Sequence, residues 1–370
     1  MELSEFRETA SAWIDANVEH APPDYGAIMP PDMYDRGVAW QKHLFAEGWA
    51  GVHWPTEYGG KGLTAEHQSI WLELCALAEV APFINMVGFV LAGQGVQLLG
   101  TDGQKQKHLN NILSADQVWC QLFSEPNAGS DLASLQTSAV KDGDEWVVNG
   151  QKVWCSGGRY SDWGILMART NPDVAKHKGI SFFLIDMHSE GVETRPLKQM
   201  TGDAEFDEVF FTDVRLPKDA LLGEENEGWG VGMTILTNER GSIGAAAIGT
   251  QRRLDALAAL GSTRGDDGLN PHETQRLMDL LAKGKSYQFM GQRQGPAASV
   301  GSSLNKLGIT ELMFATAELR ADIAGPEAML LGKGSNALLG APGGRIAGGS
   351  SQVQRNIIGE RILGLPKEPK

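Results

Sequence analysis

The hydrophobic period changes twice along this chain, and that double change most constrains what it can fold into. From about residue 3 to 113, Phe6, Ala10, Trp13, Ile14 and Val18 recur at three- and four-residue steps. Leu72, Leu74, Leu77 and Ala78 follow with wider scatter. Such spacing gathers apolar side chains on one face of a helix. GWAGVHWPTEYGGKGLT (48–64) interrupts it with glycine, proline and aromatics, and reads as a long ordered loop. From about 118 to 222 the apolar runs are short: EWVVNGQKVWC (145–155), ISFFLID (180–186), GVETRPL (191–197) and DEVFFTDVRLP (207–217). Turn residues separate them, and no helical segment intervenes. Asn149-Gly150 is the strongest hairpin signal among them, because both residues tolerate the positive φ of a tight turn. Past about 226 the pattern is helical again, with helices expected over 229–260, 271–294 and 302–324 and a last one within 350–365. GSTRGDDGLNP (261–271) is the expected turn between the first two.

The order α, β, α predicts an α+β multidomain chain: an N-terminal helical domain (1–117), a central antiparallel β-barrel or sandwich (118–225) and a C-terminal helical bundle (226–370). A length of 370 residues is ample for layers that bury a large core. The formal net charge of −14 argues against nucleic acid or an anionic membrane as partner, since both are held by basic patches. It leaves room for an anionic ligand, which a few local cations and backbone N–H groups can hold. Cys75, Cys120 and Cys155 show no metal or disulfide spacing and read as buried free thiols. The first twenty residues are amphipathic and acidic, and no apolar run is long enough to span a membrane. A cytoplasmic protein is expected.

Two short motifs invite a nucleotide reading and fail it. GWGVG (228–232) lacks the third spaced glycine and any surrounding βαβ unit, so close packing of a helix start is the expected role. Gly284-Lys285-Ser286 lies inside a helical pattern, with Asp279 where a phosphate loop needs glycine. The eight histidines show no zinc spacing, and no GxSxG nucleophile turn is present.

The chemistry concentrates in QLFSEPNAGSDLASLQTSA (121–139) and NGQKVWCSGGRYSDWGILMART (149–170). Ser124, Ser130 and Ser156 place hydroxyls around strand ends. Asn127 to Ser130 form a turn whose successive N–H groups suit an anion or a carbonyl. Trp154 offers a flat face to a large planar ring. Either segment alone would pass for a polar hairpin turn.

Together these segments resemble the acyl-CoA dehydrogenase family, which carries TEPxAGSD, NGxKxWIT and aRT motifs in this order. Ser124–Asp131, Asn149–Ser156 and Ala168–Thr170 match them. GWAGVHWPTEYGG, EFDEVFFTDVRLP, LLGEENEGW, NERGSIGAAAIG and SSQVQRNIIGERILGLP extend the resemblance over most of the chain. The resemblance implies a C-terminal four-helix bundle, bound FAD and an acyl-CoA substrate. It assigns Gln121, Leu122, Ser124, Gly129, Ser130, Trp154, Ser156, Ser350 and Gln352 to the cofactor, with Ser130 also touching the thioester. Ser130, Asn238, Arg240 and Gly349 are the implied substrate contacts. Serine for threonine at 124 and 156 keeps the hydroxyl.

In many members the catalytic glutamate lies in a YEGTxxxQR-like segment, whose glutamate position here is Gly348. A minority place it on the first long helix of the C-terminal bundle, before an arginine. Glu239-Arg240 fills that position, so the resemblance implies Glu239 as the base, with Arg240 orienting it or the thioester. The Gly348 backbone N–H is then expected to donate to the thioester oxygen alongside a flavin ribityl hydroxyl. The small apolar run from Gly241 to Gly249 is expected to bury this part of the helix.

Two family segments that reach a neighbouring subunit's FAD are missing. No YxxxRxxFG pattern follows Gly249, and LRADIAGPEAMLLGKG (319–334) lacks the glutamine and paired glycines of QxxGGxG. A homodimer or homotetramer with altered contacts competes with a heterotetramer in which a related chain supplies them. An electron-transfer flavoprotein is the implied acceptor. A flavin monooxygenase or oxidase on the same fold, and a non-catalytic partner subunit, are the alternative functions.

Overall fold

The computed structural model describes residues 1–25, 29–238, 243–262, 268–291 and 296–367. It divides into two compact units, 1–199 with 203–241 and 200–202 with 242–370.

The first unit opens with helices α1 (Leu3–Asn17), α2 (Tyr34–Ala46) and α3 (Ala65–Ala78). A π-helical turn (Val87–Ala92) then runs into α4 (Gly93–Leu99), and α5 (Asp102–Ser114) follows. α1 buries Phe6, Ala10 and Ile14, the face that its spacing marks out. Trp49 and Trp71 stack with centroids 4.9 Å apart, and Trp13 packs 5.5 Å from Trp49. Residues 48–64 form the expected ordered loop, with one 3-10 turn at Thr56–Tyr58. α5 begins with a reciprocal cap: Gln104 N–H donates to the Thr101 hydroxyl, and Thr101 N–H to Gln104 Oε1. The same Gln104 donates Nε2–H to the carbonyls of Asp219 and Leu221, tying α5 to the chain leaving the sheet.

Seven strands follow: β1 (Trp119–Leu122), β2 (Ser138–Asp142), β3 (Glu145–Ser156), β4 (Trp163–Arg169), β5 (Ile180–Asp186), β6 (Val192–Leu197) and β7 (Phe206–Pro217). They form one curled sheet in the order β1-β4-β2-β3-β7-β6, with β5 also on β4. Four of the six pairings are antiparallel, as expected, but β4 runs parallel to both β1 and β2. The excursion over 123–137 separates β1 from β2, so β1 pairs with a strand further along the chain. Leu122, Leu166, Phe183, Val209 and Val214 fill the space the sheet encloses.

The hairpin expected at Asn149-Gly150 is not there. β3 runs through both residues, and the tight turn lies at Gly143-Asp144, between Asp142 and Glu145, with Gly143 at φ 65°. Asn149 instead bonds across to β7: its Nδ2–H donates to Asp213 Oδ1 and its Oδ1 accepts Asp213 N–H. At this point β7 carries an extra residue, and Asp213 takes φ 50°. Gly150 is needed for closeness. A Cβ there would lie 2.5 Å from Thr137 Oγ1 and 2.7 Å from its Cα.

Beyond the sheet, α6 (Gly228–Asn238) starts against β5. A Cβ on Gly228 would lie 2.4 Å from the Ser181 carbonyl carbon, so GWGVG serves close packing, as expected. The second unit holds α7 (Ile243–Ser262), α8 (Pro271–Gly291), α9 (Pro296–Ala324), α10 (Lys333–Ile346) and α11 (Ser351–Ile357). The segment 229–260, expected as one helix, contains α6 and α7, and the residues joining them lie outside the described ones. α9 begins six residues before its expected start. α10 is a helix the periodicity does not announce, because Gly340, Pro342, Gly343 and Gly344 dilute its pattern. Leu254, Leu257, Leu277, Leu280, Leu312, Leu319 and Ile323 make the core of this unit. Gly284 lies in that packing, where a Cβ would meet Leu254 at 2.3 Å, and not in a phosphate loop.

Candidate active site

Two segments meet at one end of the sheet. The chain leaving β1 at Leu122 runs beside the end of β3, and Val153 N–H donates to the Ser124 carbonyl at 2.9 Å. This bond sets Leu122–Ser124 next to Trp154–Ser156. Leu122 is fully buried, while Ser124 and Ser156 are half-buried. Between Lys152 and Cys155 strand β3 carries one residue more than β7. Trp154 takes φ 62° there, which turns its ring outward: it is 55% exposed and meets the edge of Phe206 at 5.7 Å. A large aromatic held in left-handed backbone and left open is costly for a chain with no use for it.

Behind this platform lies a buried ion pair. Lys152 is fully enclosed, and its Nζ donates to Glu125 Oε1 at 2.8 Å and to the Phe123 carbonyl at 2.9 Å. Glu125 also accepts the N–H groups of Gln136 and Thr137 at 2.7 and 2.9 Å. Burial pushes the Lys152 pKa down to about 8, with Glu125 opposing that shift. Burial also pushes the Glu125 carboxyl up, but the charge and hydrogen bond of Lys152 and the two backbone donors outweigh it and hold it below the usual range. Sequence reasoning quoted both residues inside motifs without giving them a role. A lysine at an inward position of a strand was the available signal.

In the turn after Glu125 one of the expected N–H donors is already engaged. Ala128 N–H donates to the Glu125 carbonyl, so that donor is used inside the turn. Gly129 and Ser130 are exposed, and a Cβ on Gly129 would meet nothing within 4 Å. Asp131 is paired with Lys176 at 2.6 Å. After Ser156 the backbone turns at Gly157, φ 62°, where a Cβ would also meet nothing within 4 Å. A cleft there is lined by Met86, Val87, Trp119, Ser156, Gly157 and Tyr160. The indole N–H of Trp119 is buried without a hydrogen-bond partner. An exposed flat aromatic, two half-buried serines and open backbone at Gly157 suit a large planar ring with a polar edge.

Asn238 is the last residue of α6, and Glu239 and Arg240 lie outside the described residues. Gly348, Gly349, Ser350 and Gln352 belong to the second unit. Gly348 and Gly349 take φ 62° and 87°, and their carbonyls accept Gln354 Nε2–H at 3.0 Å and Lys306 Nζ–H at 2.6 Å. Ser350 caps α11 through its hydroxyl, which accepts Val353 N–H, while Gln352 is exposed. The three cysteines are buried and free, and burial pushes each thiol up, Cys120 to about 12. Among the described residues no His/Cys/Asp/Glu group could hold a metal, and no helix is long and apolar enough to cross a membrane.

Comparison with known proteins accounts for the whole architecture. The N-terminal, middle and C-terminal domain models of acyl-CoA dehydrogenases match residues 1–116, 120–214 and 226–363. Acyl-CoA dehydrogenase IpdE1 of Mycobacterium tuberculosis is 35% identical, covering 100% of this chain and 99% of that relative. The solved Tcur3481-Tcur3483 steroid ACAD superimposes with a TM-score of 0.84 at 28% identity, covering 99% of this chain and 98% of the other. The ChsE4-ChsE5 complex of Mycobacterium tuberculosis gives 0.79 at 29% identity, covering 99% and 98%. Full-length agreement in all three domains, with the platform built from the motif segments, shows that this chain belongs to the acyl-CoA dehydrogenase family and is an oxidoreductase acting on acyl-CoA.

Proposed function

We propose that the chain carries out α,β-dehydrogenation of an acyl-CoA thioester to the trans-2-enoyl-CoA, with FAD as its cofactor and an electron-transfer flavoprotein as acceptor, in the cytoplasm. The observation that carries the FAD reading is the platform itself. Leu122–Ser124 and Trp154–Ser156 are held side by side by the Val153–Ser124 hydrogen bond, with Trp154 turned out of the sheet.

In this reading Ser124, Ser156 and the Leu122 backbone hold the polar edge of the isoalloxazine, and Trp154 packs beside the ring. Gln121, Gly129, Ser130, Ser350 and Gln352 complete the cofactor contacts. FAD supplies a hydride acceptor for the β-carbon. Glu239 takes the proton from the α-carbon. The Gly348 N–H donates to the thioester oxygen, where negative charge grows as that proton leaves. Asn238, Arg240, Ser130 and Gly349 hold the thioester. A carboxylate base suits this task when desolvation raises its pKa toward the working range.

The solved Tcur3481-Tcur3483 steroid ACAD favours a steroid-derived acyl group over a simple fatty one. Anaerobic titration of the holoenzyme with straight, branched and steroid acyl-CoAs tests the whole reading through bleaching of the flavin absorbance. Steroid thioesters are expected to bleach it most completely. Glu239→Gln is expected to lower the rate by about a thousandfold, the scale of a general base, with the flavin still bound. Activity within about tenfold of the parent overturns Glu239 as the base.

One observation favours a heteromeric assembly: the solved Tcur3481-Tcur3483 steroid ACAD and the ChsE4-ChsE5 complex are each named as a pair of different chains. A related second chain would then supply the contacts that the missing arginine and glycine-rich segments make elsewhere in the family. Full FAD occupancy and activity in the chain expressed alone would overturn this.

A further inference from the structure

Lys152 and Glu125 join three stretches of chain that are far apart in sequence. Through Nζ, Lys152 holds the Phe123 carbonyl at the exit of β1. Through its carboxylate, Glu125 holds the N–H groups of Gln136 and Thr137 at the entry to β2. Lys152 itself sits on β3, two residues before Trp154 and four before Ser156. The next residue, Val153, bonds to the Ser124 carbonyl. Both sides of the platform are therefore fastened to one buried charge pair. Lys152 is 0% and Glu125 9% exposed.

Burying such a pair gives little stability by itself, because the desolvation of both groups cancels most of their attraction. A leucine–methionine pair would fill the same volume without that cost. What the ions supply and apolar groups do not is directional bonding to three backbone groups outside any strand ladder. We propose that Lys152 and Glu125 are positioning residues that set the spacing between Leu122–Ser124 and Trp154–Ser156, and so the seat of the flavin ring. This rests on the FAD reading above.

The test compares the holoenzyme with Lys152→Met, Lys152→Arg and the double variant Glu125→Gln/Lys152→Met. The single Lys152→Met leaves a buried carboxylate unpaired and is apt to unfold, whereas the double variant leaves no charge behind. In the double variant, hydrogen exchange is expected to accelerate about tenfold in peptides covering 121–126 and 150–158, with the α1 peptide unchanged. FAD affinity is expected to fall about tenfold, the bound flavin's visible band to shift, and kcat to fall about tenfold or more while KM stays within about twofold. Lys152→Arg should recover part of each. A folded double variant with parental exchange, flavin spectrum and FAD affinity overturns the assignment, since the pair would then be packing alone. A parent protein that binds no FAD, with or without a co-expressed related chain, overturns the flavin reading instead.

Discussion

Asn149 and Asp213 exchange two hydrogen bonds across β3 and β7, each 2.9 Å long. One uses the Asp213 side chain and the other its backbone N–H, so a single carboxamide closes the gap left by the extra residue in β7. Further along the same pair of strands, the extra residue at Trp154 lies on β3. The two irregularities compensate, and the sheet resumes its register with Cys155 opposite Asp207. The bulge at Asp213 thus helps decide which way the strand carrying Trp154 faces.

Gly150→Ala should expose this dependence. Its φ of 149° is poorly tolerated by alanine, and the new methyl would press on Thr137 backbone and side chain at 2.5–2.8 Å. A loss of about 2–4 kcal/mol is expected from the combined strain and overpacking. Asn149→Ala should cost less, about 1–2 kcal/mol for two exposed hydrogen bonds. Equilibrium urea unfolding of the two variants checks both the direction and the order.

Asn85 should be less tolerant than any apolar residue of similar burial. It is 1% exposed, and its Oδ1 accepts the N–H groups of Gly88 and Trp119 while Nδ2 donates to the Ile112 and Gln117 carbonyls. Gln41 completes the knot by accepting the N–H groups of Ile84 and Asn85 and donating to the Ile112 and Leu113 carbonyls. Asn85→Leu strands several buried backbone groups at once, with an expected cost of about 3–5 kcal/mol. Thermal melting should show it, and Asn85→Asp should be nearly as damaging because it removes both amide donors.

These cases show where the sequence was readable. Segments with one strong periodicity, such as Phe6, Ala10 and Ile14 on α1, were legible because burial alone decides them. The platform segments stood out only through the family resemblance, since either alone would pass for a polar hairpin turn. Asn149-Gly150 misled because its turn chemistry is equally good at a bulge, and only the partner strand decides between the two. Lys152, Glu125 and Asn85 were invisible as working residues, since their roles lie in bonds to backbone remote in sequence. Glu239 rests on the resemblance and on the glycine at 348.

His108 gives the chain an acid limit. It is 2% exposed, with Nδ1 2.9 Å from Gln117 Oε1 and its ring against Trp119 and Trp163. Burial pushes its pKa down to about 4, with the Gln117 bond opposing that shift. The unfolded chain then binds a proton that the folded one refuses between about pH 6.5 and 4, so stability falls as pH falls through that window. The contribution at its limit is on the order of 3 kcal/mol. His108→Gln should flatten the loss, which unfolding curves at pH 7 and pH 5 would reveal as a smaller difference in ΔG than in the parent.

Trp154 should separate stability from function. Its φ of 62° carries the strain of a non-glycine residue in left-handed backbone, about 1 kcal/mol or more, and glycine would relieve it. Little burial is lost in return, since the ring is 55% exposed and touches Phe206 edge-on. Glycine's greater freedom in the unfolded chain offsets part of that gain. Trp154→Gly in the FAD-free protein is therefore expected to melt within a few degrees of the parent, at most about 1 kcal/mol away. Trp154→Ala, which keeps the strain and loses the same contacts, should melt lower than the glycine variant. Both should weaken FAD binding by a similar factor, about tenfold, because the ring and not the backbone is the lost contact. Melting of the apo proteins and flavin-fluorescence titration give the two readouts separately. A glycine variant that melts well below alanine would mean that the neighbouring strands, and not local preference, hold this backbone in place.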